Sequence, residues 1–308
     1  MKKVEEFEWE WTKRKIIVVV PYYRNRIAQM TYALSKIKTE LPDSDWGIIV
    51  CDDGCDHDIS IVEEFKNVRT VRVRNATEKI RNGCLCRNVA IRRCLSEWIV
   101  STDPEVVWSG DFLSKIYSHK NRVVRIRKVR TLSSASTENL IKNNKTPEDF
   151  AYKFYDGPYP DDTSIEDCEI GDRELSVKGK RILPHIMHKW GIHYGFALES
   201  KYWHILRGYD ERIEKYGPDD FDIMRRALLL CGKDVNLRST ISVMKNRNLI
   251  PVNIKDKFNL TTLMLDDVFA THLHHELVDH EKISYKKEIS EPGFIRNDKT
   301  EWGMLYDR

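Results

Sequence analysis

The first hundred residues alternate between short apolar runs and segments with helical periodicity. The run Ile16–Val20 holds five β-branched residues and is followed by Pro21, a pattern typical of a strand buried on both faces of a parallel sheet. Apolar side chains then recur at helical spacing from Ile27 to Ile37. Strand–helix alternation of this kind favours an open, mostly parallel α/β sheet flanked by helices. Further elements are predicted as strands at Trp46–Cys51, Val68–Val73 and Trp98–Ser101, and as a helix at Val89–Leu95.

Polar clusters directly follow three of these strands. The sequence Tyr-Tyr-Arg-Asn-Arg at 22–26 follows the first strand, Asp52 and Asp53 end the second, and Asp103 and Glu105 follow the fourth. Ligands of open α/β sheets bind beyond the carboxyl ends of the strands, which is where these residues fall. The sequence therefore predicts a ligand site at this edge of the sheet.

The pattern changes after Arg130. The next stretch is polar and acidic and is interpreted as an insertion, after which order resumes. A helix is predicted from Asp219 to about Leu230, closed by Gly232. The C-terminal part is less regular. We expect one domain over 1–308, divided into a first half (15–130), the insertion (131–185), a second half (186–280) and a C-terminal extension (281–308).

Composition narrows the classes of function. The chain has 308 residues and 41% hydrophobic residues, enough for a buried core, and its 51 Lys and Arg are nearly balanced by 48 Asp and Glu. This balance argues against a basic nucleic-acid-binding arm, so no nucleic-acid partner is expected. The longest apolar run has five residues, far short of the roughly 20 that a membrane helix needs. Seven dilute cysteines and no apolar leader stretch predict free thiols, no secretion signal and a cytoplasmic protein.

The strand-end clusters suggest metal and nucleotide chemistry. Asp103 and Glu105, one residue apart on a turn, resemble the carboxylate sets that hold divalent cations together with phosphate oxygens. Asp52 and Asp53 can accept hydrogen bonds from a base or a ribose, although an Asp-Gly turn explains them equally well. The arginines within 22–26 suit phosphate and the tyrosine rings can stack on a base, whereas the plain alternative is a basic helix start.

The second half of the chain carries two further candidates. Asp219 and Asp220 open the predicted helix after a Gly-Pro turn, where acids favoured by the helix dipole are common. The functional reading of this pair is a general base held by a helix end. Residues 271–275 contain three histidines, which are metal-ligand candidates or surface bystanders.

Taken in chain order, the motifs resemble the nucleotide-sugar glycosyltransferases of the GT-A fold, family 2 and its relatives. After the three strand-end clusters, the series includes Gly-x-x-x-Arg-Asn at 83–88, Gly-Tyr-Asp-Glu at 208–211, Gly-x-Asp-Asp at 217–220 and a late histidine. The Arg-Asn-Arg and Gly-x-Asp-Asp-x-Asp blocks look most like the β-1,4-galactosyltransferase and chondroitin-polymerase branch. The resemblance covers about 15–110 and 188–275, and it implies a Rossmann-like GT-A fold whose nucleotide-binding half is 15–130.

The resemblance implies a role for each matching residue. Asp219 and Asp220 would form the catalytic pair, with Asp220 as general base and Asp219 also holding the acceptor beside Trp190 and Gly191. The metal Mn²⁺ or Mg²⁺ would be held by Asp103, Glu105, and His272 or His274. The nucleotide-sugar would be bound by Pro21, Tyr22, Tyr23, Arg24, Arg26, Asp52, Asp53, Arg87, Asn88 and Gly195.

Four positions depart from the family pattern. Glu105 stands for a second Asp, Asp219 for a Glu, Pro218 for a Gly and Cys86 for an Ala, which changes the fine geometry but preserves the pattern of charge. The implied function is metal-dependent, inverting transfer of a hexosyl or N-acetylhexosaminyl group from a nucleotide-sugar, with UDP expected. A retaining relative is the alternative. Glycan or glycolipid acceptors, as in polysaccharide biosynthesis, would bring such an enzyme to a membrane surface.

Three other functions compete with this interpretation. The basic segment 120–130 reads as a solvated edge strand, or as a patch for an anionic glycan, a lipid headgroup or nucleic acid. A nucleotidyltransferase would share the strand-end carboxylates, yet the loop after the first strand has no glycine. A zinc site is the third, with the candidate ligands Cys51, Cys55, His57, Cys84 and Cys86.

Overall fold

The computed structural model describes most of the chain up to residue 147 and several separate segments beyond it. Arg24, Trp190 and Gly191, which the sequence analysis assigned to the site, lie outside the described residues. The described residues are 2–23, 25–74, 82–132, 134–147, 175–177, 180–182, 194–213, 219–231, 258, 260–275 and 302–303.

The described elements alternate strands and helices in the first half. Short 3-10 helices lie at Val4–Glu6, Trp9–Thr12 and Ser60–Glu64. The helices are α1 (Ile27–Ser35), α2 (Gly83–Arg93), α3 (Phe112–Tyr117), α4 (Ser134–Lys142), α5 (Ser200–Leu206) and α6 (Asp219–Leu230). The strands are β1 (Lys2–Lys3), β2 (Ile16–Tyr22), β3 (Trp46–Asp53), β4 (Val68–Arg74), β5 (Trp98–Ser101), β6 (Val106–Ser109), β7 (Arg122–Thr131), β8 (Leu175–Val177), β9 (Lys180–Ile182), β10 (Phe196–Glu199) and β11 (Thr261–His272).

Nine of these strands form one sheet in the order β1-β4-β3-β2-β5-β10-β7-β11-β6, while β8 and β9 pair separately. Five of the eight pairings in the large sheet are parallel and three are antiparallel. The predicted mostly parallel sheet flanked by helices is therefore confirmed. No helix in the described part of the chain is long and apolar enough to cross a bilayer.

Helices cover both faces of this sheet. Ile17 and Val19 of β2 join the core beneath α2, α5 and α6, whereas Ile16, Val18 and Val20 join the core beneath α1 and α3. Successive side chains of a strand point to opposite faces, so burial on both sides explains the continuous apolar run. Pro21 continues β2 rather than ending it. The neighbouring strand β5 pairs with Ile16–Val19, so the ladder on that side ends before the proline, which lacks an N–H.

The order of the first four long strands defines where a ligand can bind. In chain order they are β2, β3, β4 and β5, and in space they lie as β4-β3-β2-β5. This is the 3-2-1-4 arrangement of doubly wound sheets, in which the crevice opens between the first and fourth strands at their carboxyl ends. The ends of β2 and β5 are neighbours here, and the Thr102 N–H donates to the Val19 carbonyl at 3.3 Å. Residues after β2 and β5 are thus brought together.

The basic segment 120–130 is not an edge strand, so that part of the sequence analysis is wrong. It forms β7, which is hydrogen-bonded to β10 on one side and to β11 on the other. Arg125 is buried, and its Nη1 donates to Met224 Sδ at 2.9 Å. Burial lowers the pKa of Arg125 to about 10. Local sequence could not reveal this position, because the partner β11 follows more than a hundred residues later.

A turn at 208–211 joins the two halves of the fold through Asn88. The Asn88 Nδ2 donates to the Tyr209 carbonyl and to Glu211 Oε1, both at 2.8 Å, and its Oδ1 accepts from the Tyr209 N–H at 2.7 Å. Gly208 lies against this amide with a φ of +62°, and a Cβ there would stand 2.1 Å from Asn88 Oδ1. Only glycine satisfies both constraints.

We predict that Gly208→Ala lowers the free energy of unfolding by about 3 kcal/mol, because left-handed strain and a steric clash add together. Gly110→Ala is the matched control, since Gly110 has a φ of +90° but its nearest neighbour would lie 3.5 Å from the new Cβ. The control should lose only about 1 kcal/mol. Urea denaturation of both variants measures the difference, and equal losses would contradict the account of the Asn88 contact.

Candidate functional site

The central group of the site is the buried carboxylate of Glu105, just after β5. Only 1% of this residue is exposed. The Nη1 of Arg26, which precedes α1 after the end of β2, contacts Oε1 at 2.8 Å and Oε2 at 3.0 Å. The adjacent ends of β2 and β5 place this ion pair at the switch point of the sheet.

Two histidines at the end of β11 complete the cluster. His272 Nε2 lies 3.3 Å and His275 Nε2 lies 3.1 Å from Glu105 Oε1. The Leu273 N–H donates to the Glu105 carbonyl at 2.9 Å, which fixes the end of β11 beside Glu105, directly before β6. Burial alone would raise the pKa of Glu105, but the charge of Arg26 and the hydrogen bonds from both histidines hold it well below its usual range.

These residues fit a divalent metal. Ligand atoms of Glu105, His272 and His275 all lie within 4.8 Å of one another, which is the spacing of a metal-binding group. Two imidazoles with one carboxylate suit first-row transition metals better than Mg²⁺, which prefers oxygen ligands. The buried Nδ1 of His272 has no hydrogen-bond partner among the described residues.

His274 is not a member of this group of ligand atoms, and its backbone is bonded to α1 and α4. Its backbone N–H donates to Thr137 Oγ1 at 2.8 Å and its carbonyl accepts from Gln29 Nε2 at 3.0 Å. The sequence analysis expected His272 or His274 as the ligand, whereas the structure brings His272 and His275 together and the sequence reasoning missed His275. The reason is that β11 ends at His272, so the alternation of a strand no longer applies beyond it.

A second charged cluster surrounds Arg87 on α2. The buried guanidinium donates from Nη2 to Asp103 Oδ1 at 2.6 Å and from Nη1 to Asp219 Oδ2 at 3.5 Å. Its Cζ lies 5.2 Å from the ring centroid of Tyr209, a cation–π contact. Burial opposes the charge of Arg87, but Asp103, Tyr209 and Asp219 together raise its pKa. Asp103, expected as a metal ligand, is therefore paired with Arg87, which also links it to the acidic start of α6, where Asp220 is the second residue.

The acidic pair at the end of β3 is engaged in shaping the neighbouring loops. Asp52 is fully buried, accepts from the Cys55 N–H at 3.0 Å and pairs with Arg72 Nε at 2.8 Å. Burial raises the pKa of Asp52. Asp53 accepts from the backbone N–H of Asn82 at 2.8 Å, immediately before α2. Asn88, as described above, is likewise buried and bonded to the 208–211 turn.

Two buried tyrosines lie at the end of β2. Pro21 lies opposite Cys51, and both Tyr22 and Tyr23 are buried. The Tyr22 hydroxyl lies 3.2 Å from His57 Nε2, and burial raises the pKa of Tyr22 to about 12. Gly195, which precedes β10, has a φ of +140°, and a Cβ there would stand 2.8 Å from Ile126.

Among the described residues, the cysteines proposed as zinc ligands do not form a group with metal-binding spacing. The six cysteines in the described part of the chain, which include Cys51, Cys55, Cys84 and Cys86, are buried thiols rather than disulfides. Among the described residues, the group of histidine, cysteine and acidic side chains with metal-binding spacing is the one around Glu105.

Similar solved structures share only part of the chain. S. aureus TarS 1–349 in complex with UDP-GlcNAc is 22% identical over 39% of this chain and 35% of that chain, with a TM-score of 0.31. A second structure of S. aureus TarS is 15% identical over 72% of this chain and 40% of that chain, with a TM-score of 0.40. The mannosyltransferase PcManGT from Pyrobaculum calidifontis in complex with GDP-Man and Mn²⁺ is 20% identical over 38% of this chain and 37% of that chain, with a TM-score of 0.31.

This chain thus spans 35% to 40% of the length of these three structures. No family model matches it. No curated protein matches it either. Likenesses at this level decide nothing about its chemistry.

We predict that His275→Ala and His272→Ala each weaken Mn²⁺ binding by at least roughly tenfold, because each removes an imidazole from the cluster. His274→Ala is the matched control and should leave the dissociation constant unchanged. Titration of Mn²⁺, with the unbound ion followed by electron paramagnetic resonance, measures all three. A loss confined to His274→Ala would show that the cluster is assigned to the wrong histidine.

Proposed function

We propose that the chain is a metal-dependent glycosyltransferase of the GT-A type, which transfers a sugar from a nucleotide-sugar to a glycan or lipid-linked acceptor. The observation that carries this proposal is the position of the Glu105–His272–His275 cluster. It lies at the switch point of a 3-2-1-4 sheet, where nucleotides bind in such folds. The motif order along the sequence supports the same class.

The proposed donor side is built around the metal cluster. Glu105, His272 and His275 would hold Mn²⁺, and we expect Mn²⁺ over Mg²⁺ because two of the three ligands are imidazoles. The bound ion would supply positive charge to stabilise the departing nucleoside diphosphate. Arg26 lies at the start of α1, where a phosphate is favoured by both the guanidinium and the helix N-terminus.

The proposed acceptor side is the acidic start of α6. Asp220 takes the proton from an acceptor hydroxyl while that oxygen attacks the anomeric carbon and the bond from this carbon to the phosphate oxygen breaks. A single displacement of this kind inverts the anomeric carbon. Asp219 orients the acceptor hydroxyls and is itself oriented by Arg87 at 3.5 Å. The donor is proposed to be a UDP-sugar carrying a hexosyl or N-acetylhexosaminyl group, as in the branch that the sequence resembles.

We predict that UDP and Mn²⁺ together raise the melting temperature. Ligand at a hundred times its dissociation constant stabilises the native state by about 2.7 kcal/mol, which corresponds to roughly 5 °C for a chain of this size. Glu105→Gln should abolish the joint effect. The thermal shift is compared across UDP, GDP and CMP with and without Mn²⁺. A shift with GDP or CMP alone would contradict the UDP assignment, and no shift with any nucleotide would contradict the function.

We predict that Asp220→Asn retains donor binding but lowers the rate of transfer by about 10²- to 10⁴-fold, because the general base is removed. Glu138→Gln is the matched control, since Glu138 is an exposed carboxylate on α4. Sugar transfer to an acceptor panel and UDP binding are measured on both variants. Near-normal turnover by Asp220→Asn would remove this residue from the role of base.

A further inference from the structure

One carboxylate serves two incompatible partners in the candidate site. Both oxygens of Glu105 are within 3.0 Å of the same Arg26 nitrogen. Oε1 is also the atom that faces His272 and His275, at 3.3 Å and 3.1 Å. A metal held by these three residues therefore needs an oxygen that already accepts from a guanidinium.

The two cations cannot occupy this position together at low energy. Glu105 is almost fully buried and Arg26 is 9% exposed, so water screens little of the repulsion between a divalent ion and a guanidinium on the same carboxylate. Removing both cations is also unfavourable, because a buried carboxylate without a partner is strongly destabilising. Either cation satisfies the carboxylate, and the presence of one weakens the binding of the other.

A guanidinium displaced from Glu105 would lie next to the start of α1. Arg26 is the residue immediately before α1, a helix of nine residues, and its carbonyl accepts the Met30 N–H at 2.9 Å within the first turn. A helix start next to a guanidinium attracts phosphate oxygens. The proposed diphosphate site lies at this same edge of the sheet, within reach of a different side-chain rotamer of Arg26 in our proposal.

We propose that Arg26 is an exchangeable counter-ion of the metal site: a divalent metal displaces its guanidinium from Glu105, and the guanidinium then binds the donor diphosphate. This exchange rests on the proposed function for its second half, the identity of the phosphate ligand. It makes metal and nucleotide binding cooperative, since each ligand favours the same arrangement of Arg26. By linkage, each then strengthens the other by the same factor.

The test measures the Mn²⁺ dissociation constant by electron paramagnetic resonance, with and without saturating UDP. In the wild type, UDP should tighten Mn²⁺ binding by about tenfold. In Arg26→Gln, Mn²⁺ alone should bind about tenfold more tightly than in the wild type, and UDP should tighten it by a smaller factor than in the wild type, because only direct ligation by the diphosphate remains. Arg72→Gln is the matched control, because Arg72 pairs with another buried carboxylate, Asp52, at 2.8 Å. Its affinity for Mn²⁺ alone should equal that of the wild type.

Arg26→Lys keeps the test decisive if Arg26→Gln fails to fold. Lysine preserves the charge but cannot reproduce the planar guanidinium contact with the carboxylate, so Mn²⁺ alone should bind with an affinity between those of the wild type and Arg26→Gln. Unchanged or weaker Mn²⁺ binding in the Arg26 variants would overturn the exchange. If UDP tightened Mn²⁺ binding in Arg26→Gln by the same factor as in the wild type, binding of the displaced guanidinium to phosphate would be overturned.

The two proposals fail separately. If UDP does not bind the wild type, the proposed function fails, whereas the Mn²⁺-only comparison of wild type and Arg26 variants still decides whether arginine and metal compete for Glu105.

Discussion

The buried carboxylate of Glu105 is the constraint around which the candidate site is organised. An ionised group with 1% of its residue exposed needs partners, because isolated buried charge is very unfavourable. The fold supplies them from distant parts of the chain: Arg26 from the end of β2, and His272 and His275 from the end of β11. The end of β2 lies beside β5 and the end of β11 lies beside β6, so the connection from β5 to β6 brings Glu105 to both sets of partners and allows the carboxylate to be buried.

A second buried charge, the guanidinium of Arg87, is likewise stabilised by partners from other parts of the chain. Arg87 is buried between Asp103, which follows β5, and Asp219, which opens α6. The Tyr209 ring stacks against this guanidinium, and its hydroxyl donates to Ser101 Oγ at 2.8 Å. Arg87 thus contacts one carboxylate on the proposed donor side, Asp103, and one on the proposed acceptor side, Asp219. A change in the charge of either carboxylate therefore changes the electrostatic environment of the other.

Local pattern was sufficient for the elements that are buried on both faces. The continuous apolar runs and the acidic start of α6 specify their own structure, and β2, β3, β4, β5 and α6 were predicted within two residues of their observed bounds. The alternation rule also predicted the edge of the sheet at which the candidate site lies, because the order of parallel strands follows general topology.

Contacts between residues that are far apart along the chain could not be predicted from the sequence. The interior position of β7 depends on its pairing with β11, and neither strand has a local sequence feature that identifies its partner. The choice of His275 over His274 depends on where β11 stops, and the pairing of Asp103 with Arg87 depends on how α2 lies against the end of β5. Each is a property of the assembled sheet rather than of a segment.

The most direct test of this account is pulsed electron paramagnetic resonance of the protein with Mn²⁺ and UDP, using ¹⁵N-labelled histidine. The account predicts nitrogen couplings from two imidazoles and a phosphorus coupling from the diphosphate on the same ion. Phosphorus coupling without histidine nitrogen would contradict it, because the metal would then sit away from Glu105, His272 and His275.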